Sequence, residues 1–320
     1  GENTQRGRYR EFTQCDFDNV GCDNAAADFE ILFMMHKALC AAGAESATVH
    51  INHRAVFNRF LKRLNAEKES AQVLRIVDKL AKIGSQEVLA QLSAILNESR
   101  ANDICEFVQT KGNWDETLSA MEHAAGGSDS DTERLKQIRI FMKDTGVQDK
   151  YVLDPSITRG LDYYTGIVFE TFLDDVSGIG SVCSGGRYGN LMGLYSKEVL
   201  SGVGSSVGLD RLIAALESSG KIKENKTYAK LIIVCTDEAR FGLYQALADK
   251  IRGLNIPAEV LCEAKKLTAQ FVEAEKKGAQ WVLIPSQDDP VNGAFTLRNL
   301  ATRQNKENIL FKDLECTMTA

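Results

Sequence analysis

Residues 8–20, RYREFTQCDFDNV, alternate apolar or aromatic with polar positions, a period of two that predicts a strand. Asn24 then stands at the N-cap of a helix predicted over 25–42, with Asp28 and Glu30 early, His36 and Lys37 late, and Gly43 as its stop. Met34 and Met35 fall in this helix as core filler, and SATVHINH at 46–53 predicts a second short strand. From about 54 to 147 the period turns helical without a single proline. Ser85-Gln86-Glu87 opens one helix, Asn113 or Asp115 another, and DTERLKQIRIFMK at 131–143 is amphipathic. Strand signals return at 157–173 and 181–188, then a glycine-rich turn leads into a helix at 209–217. Strands, a long run of helices and strands again predict an α+β domain whose sheet is assembled from distant parts of the chain.

Beyond the polar stretch SSGKIKENKTY at 218–228 the pattern changes once more. Strand 229–235, helix 238–252, strand 256–262, helix 266–277 and strand 279–285 predict a small α/β domain with a parallel sheet, followed at 294–300 by a strand of different polarity.

Composition narrows the class without naming a function. The chain has 320 residues, 44% of them apolar and 26% charged, enough for two domains with their own cores. No apolar run is long enough to span a bilayer, and the first ten residues lack the apolar stretch of a secretion signal, so a cytoplasmic protein is expected. Eight cysteines without any C-x-x-C predict reduced, mostly buried thiols rather than disulfides or a zinc site. The net charge of −6 lies in residues 1–228, with 26 basic against 32 acidic side chains; residues 229–320 carry 12 of each. Charge alone therefore argues for no partner.

Four stretches can carry chemistry. Arg159 to Glu170, RGLDYYTGIVFE, places an arginine, acids and the pair Tyr163 and Tyr164 in a strand-and-turn context suited to a polar pocket. Both tyrosines reach one pocket only if a turn or bulge interrupts the alternation. In the first strand Arg6, Arg8 and Arg10 share parity with Gln14, Asp16 and Asp18, a face suited to an anion at one end and an ammonium group at the other. Gly202 to Leu212, GVGSSVGLDRL, reads as a phosphate-binding turn opening a helix with Arg211 in its first turn. Its G-x-G-x-x-x-G spacing is a weak dinucleotide fingerprint, so a nucleotide-dependent oxidoreductase stays a remote alternative. Ser184-Gly185-Gly186-Arg187-Tyr188 fits either a close backbone approach to a ligand or a tight sheet turn. His50 and His53 lack helical spacing and a neighbouring carboxylate or thiol, which predicts structural roles and no metal site.

Taken in order, these segments resemble the histidyl-tRNA synthetases, class II aminoacyl-tRNA synthetases. GENTQRGRYREFTQCDFD is similar to the second class motif, RGLDYYTGIVFE and SVCSGGRY to the two histidine signatures, and GVGSSVGLDRL to the third class motif. The resemblance implies an antiparallel-sheet catalytic core at 1–53 and 148–220, a helical insertion at 54–147, a linker at 221–228 and an anticodon-binding domain at 229–320. It implies ATP-dependent activation of L-histidine to histidyl-adenylate and transfer to tRNA(His), by a homodimer using ATP and Mg2+. Matched residue by residue, Glu2, Arg8, Phe12 and Arg211 face ATP. Gln14, Asp18, Tyr163 and Tyr164 hold histidine, and Arg159 acts at the reacting carboxylate and α-phosphate. A non-catalytic synthetase-like regulator is the nearest alternative.

Two departures accompany the resemblance. The chain opens at Gly1 inside the second motif, without the family's dimer-forming first motif, so it is expected to be the later part of a longer enzyme and to adenylate weakly alone. Gly189 stands where the family usually has aspartate after G-G-R-Y.

Overall fold

The computed structural model describes residues 6–158, 163–176, 178–189, 200–222 and 226–319. The chain divides into two compact units, Gly1–Ile222 and Lys223–Ala320.

The first unit is built on a six-stranded sheet. Its strands are β1 (Gln14–Val20), β2 (Ala47–His53), β3 (Tyr151–Leu153), β4 (Tyr164–Leu173), β5 (Cys183–Tyr188) and β6 (Gly202–Gly208), in the spatial order β1-β6-β5-β4-β2-β3. Every neighbouring pair is antiparallel except β2 with β3. Two predicted strands are shorter than their patterns. Residues 8–13 lie outside β1, so Arg6, Arg8 and Arg10 do not continue its face, and 157, 158 and 163 lie outside β4. The predicted turn at 202–208 is a strand: pairing with β1 on one side and β5 on the other makes it an inner member of the sheet.

Helix α1 (Ala25–Ala41) begins where the sequence places it, Asn24 accepting the amide of Ala27. Ile31, Leu32, Met35 and Leu39 are buried on one side of it, while Met34 is exposed. They share one core with Val49 and Ile51 of β2, Ile167 and Phe169 of β4, and Val203 and Val207 of β6, all on one face of the sheet. Each fully buried aliphatic side chain contributes about 1.5–3 kcal/mol.

Between β2 and β3 run α2 (Arg54–Arg63), α3 (Ser70–Val77), α4 (Leu80–Ile95), α5 (Glu98–Val108), α6 (Trp114–Ala125) and α7 (Ser130–Asp144). Phe57 and Phe60 of α2, Phe107 of α5, Trp114 of α6 and Ile138 of α7 join the same core as the sheet. Within α4 the backbone breaks at Gly84 (φ 80°), a left-handed conformation that glycine adopts readily, and Ser85 restarts the helix there. Asn113 and Glu116 form a reciprocal capping box at α6, and Asp129 with Thr132 forms another at α7. Helix α8 (Leu209–Ser218) closes the unit.

The second unit has a five-stranded sheet of β7 (Leu231–Ile233), β8 (Ala258–Val260), β9 (Trp281–Ile284), β10 (Phe295–Asn299) and β11 (Asn305–Ile309), ordered β11-β10-β9-β7-β8. The first three are parallel, as the alternation with α9 (Phe241–Arg252) and α10 (Leu267–Lys277) predicts; β10 and β11 are antiparallel additions. Neither β11 nor the terminal α11 (Leu314–Thr319) is legible in the sequence pattern, because β11 is short, polar and half exposed. Buried Gln270 of α10 accepts the Cys235 amide and donates to its carbonyl, satisfying the chain just beyond β7.

None of the eight cysteines forms a disulfide. Cys105, Cys183 and Cys235 are buried, but Cys15, Cys22, Cys262 and Cys316 are exposed, so burial is less general than composition predicts. Among the described residues no helix is long and apolar enough to cross a membrane, and no group of three or more His, Cys, Asp or Glu is placed to hold a metal.

His53, at the end of β2, is 1% exposed, with Nε2 3.8 Å from Asp131. Burial and the nearby Arg134 guanidinium push its pKa down from 6.5 to about 3. The unfolded chain therefore binds this proton more tightly than the folded one, and stability falls as pH drops below 6.5, by about 1.4 kcal/mol per unit. Urea unfolding at pH 5 should show a loss of about 2 kcal/mol relative to pH 7 from this group, most of it abolished in His53→Gln. An unchanged pH slope in that variant would refute the assignment.

Candidate functional site

The sheet face turned away from α1 is polar. Gln14, Asp16 and Asp18 of β1 alternate onto it, and the register sets Asp16 opposite Ser206, Ser206 opposite Ser184, Ser184 opposite Glu170 and Glu170 opposite His50. One row of polar side chains thus crosses five strands.

Two cavities lie along this face and share Ser184 and Ser206 as a common wall. The first, about 340 Å3, is lined by Arg8, Phe12, Gln14, Glu170, Asp210 and Arg211 among others. Its rim before β1 is tied to α8: the Thr13 amide donates to Asp210 Oδ2 at 2.7 Å, and the Leu209 amide to the Thr13 carbonyl at 3.0 Å. Gly7 takes a left-handed conformation (φ 72°) and lies so close to the Arg211 backbone that a Cβ would sit 3.0 Å from its Cα. Arg211 itself donates to the Ser181 carbonyl at 2.5 Å. Phe12 is 59% exposed, an uncovered ring at the cavity mouth.

The second cavity, about 280 Å3, is lined by Asp16, Asp18, Tyr163, Tyr164 and Tyr188 over a floor of Gly185, Gly186 and Gly204. Tyr163 precedes β4 and the register slips between Tyr164 and Val168, so both tyrosines reach the same cavity as the sequence requires of a pocket. Their rings stand 4.4 Å apart, with the Tyr163 hydroxyl donating to that of Tyr164 at 3.3 Å. The Tyr188 hydroxyl donates to Asp18 Oδ1 at 2.8 Å. Burial, reinforced by that hydrogen bond and the Asp18 charge, pushes the Tyr188 phenol well above its usual range, so it stays a donor. At the junction of the cavities Gln14 Nε2 donates to Ser206 Oγ at 2.6 Å.

The glycines of GVGSSVG serve this arrangement rather than a phosphate turn. A Cβ at Gly202 would collide with the Tyr188 ring, and one at Gly204 with the Asp18 carboxylate. At Gly186 it would meet the Tyr164 ring at 2.7 Å. The strand also leaves no dinucleotide turn, which removes the basis of the oxidoreductase alternative.

Of the residues singled out in sequence, Arg8, Phe12, Gln14 and Arg211 line one cavity and Asp18, Tyr163 and Tyr164 the other. Glu2 and Arg159 lie outside the described residues. Tyr188, Ser206 and Asp210 were missed; Tyr188 was within reach, since parity in SGGRY places it on the same face as Ser184. Gly189 lines a separate cavity of about 370 Å3 with Arg134, Arg187 and His53. A further cavity, about 840 Å3, opens beyond Glu170 around His50. Burial alone would raise the Asp154 carboxyl there, but hydrogen bonds from His50 and Ser156 outweigh it and hold it below its usual range. His50 thus has a carboxylate partner 104 residues away in sequence, at 2.7 Å.

A family model described as histidyl-tRNA synthetase matches residues 2–212. A histidine–tRNA ligase of Treponema denticola is 49% identical over 297 residues, covering 91% of this chain and 66% of its own length. The corresponding ligase of Treponema pallidum is 42% identical, covering 95% of this chain and 71% of its own. The chain thus spans about two thirds of the length of these relatives. The crystal structure of histidyl-tRNA synthetase from Nostoc sp. PCC 7120 superposes with a TM-score of 0.75 at 28% identity, over 97% of this chain and 74% of that one.

The close approach at Gly185 makes a stability test. A methyl there would strike the Gly204 carbonyl and sit 2.6 Å from the Phe169 ring, whereas at Gly208 it meets nothing nearer than 3.7 Å. Gly185→Ala should lower stability to urea by about 1–3 kcal/mol, and Gly208→Ala should change it by less than about 1 kcal/mol. Equal effects would show that the sheet yields at Gly185.

Proposed function

The chain belongs to the histidyl-tRNA synthetase family, and on that premise we propose that its first unit binds L-histidine in the 280 Å3 cavity and ATP in the 340 Å3 cavity, joining them as histidyl-adenylate. The observation that carries the reading is the shared wall at Ser184 and Ser206. It brings a pocket of tyrosines and a carboxylate against a pocket with two arginines, so an amino-acid carboxylate and an α-phosphate can meet at the junction.

In that step a carboxylate oxygen of histidine forms a bond to the α-phosphorus while the bond to the bridging oxygen breaks, and pyrophosphate leaves with the electron pair. The nucleophile is already ionised, so no general base is needed; alignment and compensation of phosphate charge carry the rate. Asp18 pairs with the α-ammonium, its geometry set by the Tyr188 donor. Tyr163 and Tyr164 enclose the imidazole, and hydroxyls fixed around it disfavour side chains without its nitrogens. Gln14 stands at the junction, where it can orient the carboxylate. Arg8 and Arg211 face the phosphates and Phe12 the adenine. Glu2 and Arg159 join this assignment on the family resemblance. Glu170 and Asp210, the carboxylates that line the ATP-side cavity, would offer Mg2+ the hard oxygen donors it takes, and the ion would neutralise phosphate charge there. In the second step the terminal ribose of tRNA(His) attacks the adenylate carbonyl and AMP leaves. The second unit as the anticodon-binding part, a homodimeric assembly and a cytoplasmic setting complete the proposal.

Isothermal titration tests it. The chain should take up L-histidine in preference to other amino acids, and Asp18→Asn should weaken histidine by about 10- to 100-fold, the loss of a charge-assisted hydrogen bond, while leaving ATP unaffected. Failure to bind histidine, or equal uptake of an aliphatic amino acid, would overturn the reading.

A further inference from the structure

The tyrosine cavity is held from behind its own sheet. Arg187 and Tyr188 are neighbours on β5, and alternation sends their side chains to opposite faces. Tyr188 points forward to Asp18; Arg187 points back and is 3% exposed. There Arg187 Nε donates to Asp28 Oδ1 at 2.7 Å, and Nη1 donates to the Cys22 carbonyl at 3.0 Å and to Ser201 Oγ at 2.7 Å. Gly166 closes over it, a Cβ there falling 3.0 Å from the arginine side chain. Asp28, in the first turn of α1 and wholly buried, is shared. Its Oδ2 accepts from Arg134 Nε of α7 at 2.5 Å, and Arg134 Nη1 reaches Asp23 at 2.7 Å.

We propose that Asp28 and Arg134 are positioning residues for the histidine pocket. They touch no substrate; they hold Arg187, and through it the backbone of β5, where Tyr188 meets the Asp18 carboxylate. The inference rests on the reading of the 280 Å3 cavity as the histidine site. Its physical basis is directionality: apolar packing would hold α1 against the sheet at any of several small offsets, whereas two charge-assisted bonds to one buried carboxylate fix the offset. The ATP side should feel this less: it shares the N-terminal part of β5 through Cys183 and Ser184, away from Arg187, and its cations stand on other parts of the unit, Arg8 ahead of β1 and Arg211 on α8.

Asp28→Asn strips Arg187 of its buried counter-charge and can unfold the unit, so Arg134→Gln is the informative variant; it leaves the Asp28–Arg187 bond in place. In the full chain without ligand, hydrogen-exchange mass spectrometry should show faster exchange over Cys183–Tyr188, with Glu98–Val108 of the same unit unchanged. Titration should show histidine affinity reduced roughly 5-fold or more and ATP affinity within about 2-fold of the parent. Arg134→Lys should restore part of the loss, since a single ammonium replaces only one of the two bonds. Tyr188→Phe should produce a similar histidine defect, and the double variant with Arg134→Gln should lose no more than the worse single. Unchanged exchange over Cys183–Tyr188, equal weakening of both ligands, or additive losses would overturn the proposal. A parent chain that binds no histidine would instead refute the assignment of the cavity, and the exchange data alone would then judge the tie between α7 and β5.

Discussion

The first unit turns on one buried carboxylate. Asp28 is fully enclosed, yet it lies between two guanidiniums, Arg187 at 2.7 Å and Arg134 at 2.5 Å. The three residues come from α1, β5 and α7, separated by more than 100 positions from Asp28 to either arginine. Taking these charges out of water is costly, and an apolar trio of similar volume would be about as stable. What the ionic trio adds is geometry. The apolar core around Ile31, Leu32 and Met35 supplies most of the free energy but is indifferent to small shifts of helix against sheet. The directional bonds remove that indifference where it matters, one residue from Tyr188.

A second constraint is spatial and lies on the other face. The side chains that line the tyrosine cavity lie across the neighbouring strands, and only glycine leaves room for them. Tyr188 lies over Gly202, Asp18 over Gly204 and Tyr164 over Gly186. Each glycine weakens its strand, since it has no side chain to pack and loses more backbone freedom on folding. The sheet tolerates this because β5 and β6 are inner strands with neighbours on both sides, where ladder hydrogen bonds do not depend on side chains.

Sequence reading succeeded where the signal is local and failed where it depends on partners far along the chain. Helices α1 and α6 were legible from their caps, since Asn24 and Asn113 act locally and leave a local signature, and α7 from the amphipathic stretch 131–143, whose Asp129 cap only the structure shows. The tyrosine pair, Gln14 and Asp18 were legible as pocket-lining residues because such residues make a poor core. GVGSSVG was not, because a run of glycines and serines has the composition of a loop; only its partners β1 and β5, which come from elsewhere in the chain, make it a strand. Arg6 and Arg10 failed for the complementary reason: alternation continues through RYREFT, but no partner strand among the described residues pairs there beyond an isolated bridge at Arg8. Asp28 looked like an ordinary acid in the first turn of a helix, stabilised by the dipole. Nothing nearby in sequence announces that both of its oxygens are taken by arginines far along the chain.

The same strands carry the fold and the site on alternate residues. Phe17 packs behind Asp16 and Asp18, Phe169 behind Glu170, Ser205 behind Ser206, and Arg187 behind Tyr188. A slip of one residue in any of these strands would put its apolar set into the cavity and its polar set into the core. The register that buries Phe169 and Val207 is therefore the register that aligns Asp16, Ser206, Ser184 and Glu170 in a row. The cost of misplacing the core enforces the alignment of the site, so the cavity side chains need few contacts of their own to be held in order. Asp18 shows this: it is exposed, yet one hydrogen bond from Tyr188 suffices to orient it, because the backbone beneath both residues is already fixed.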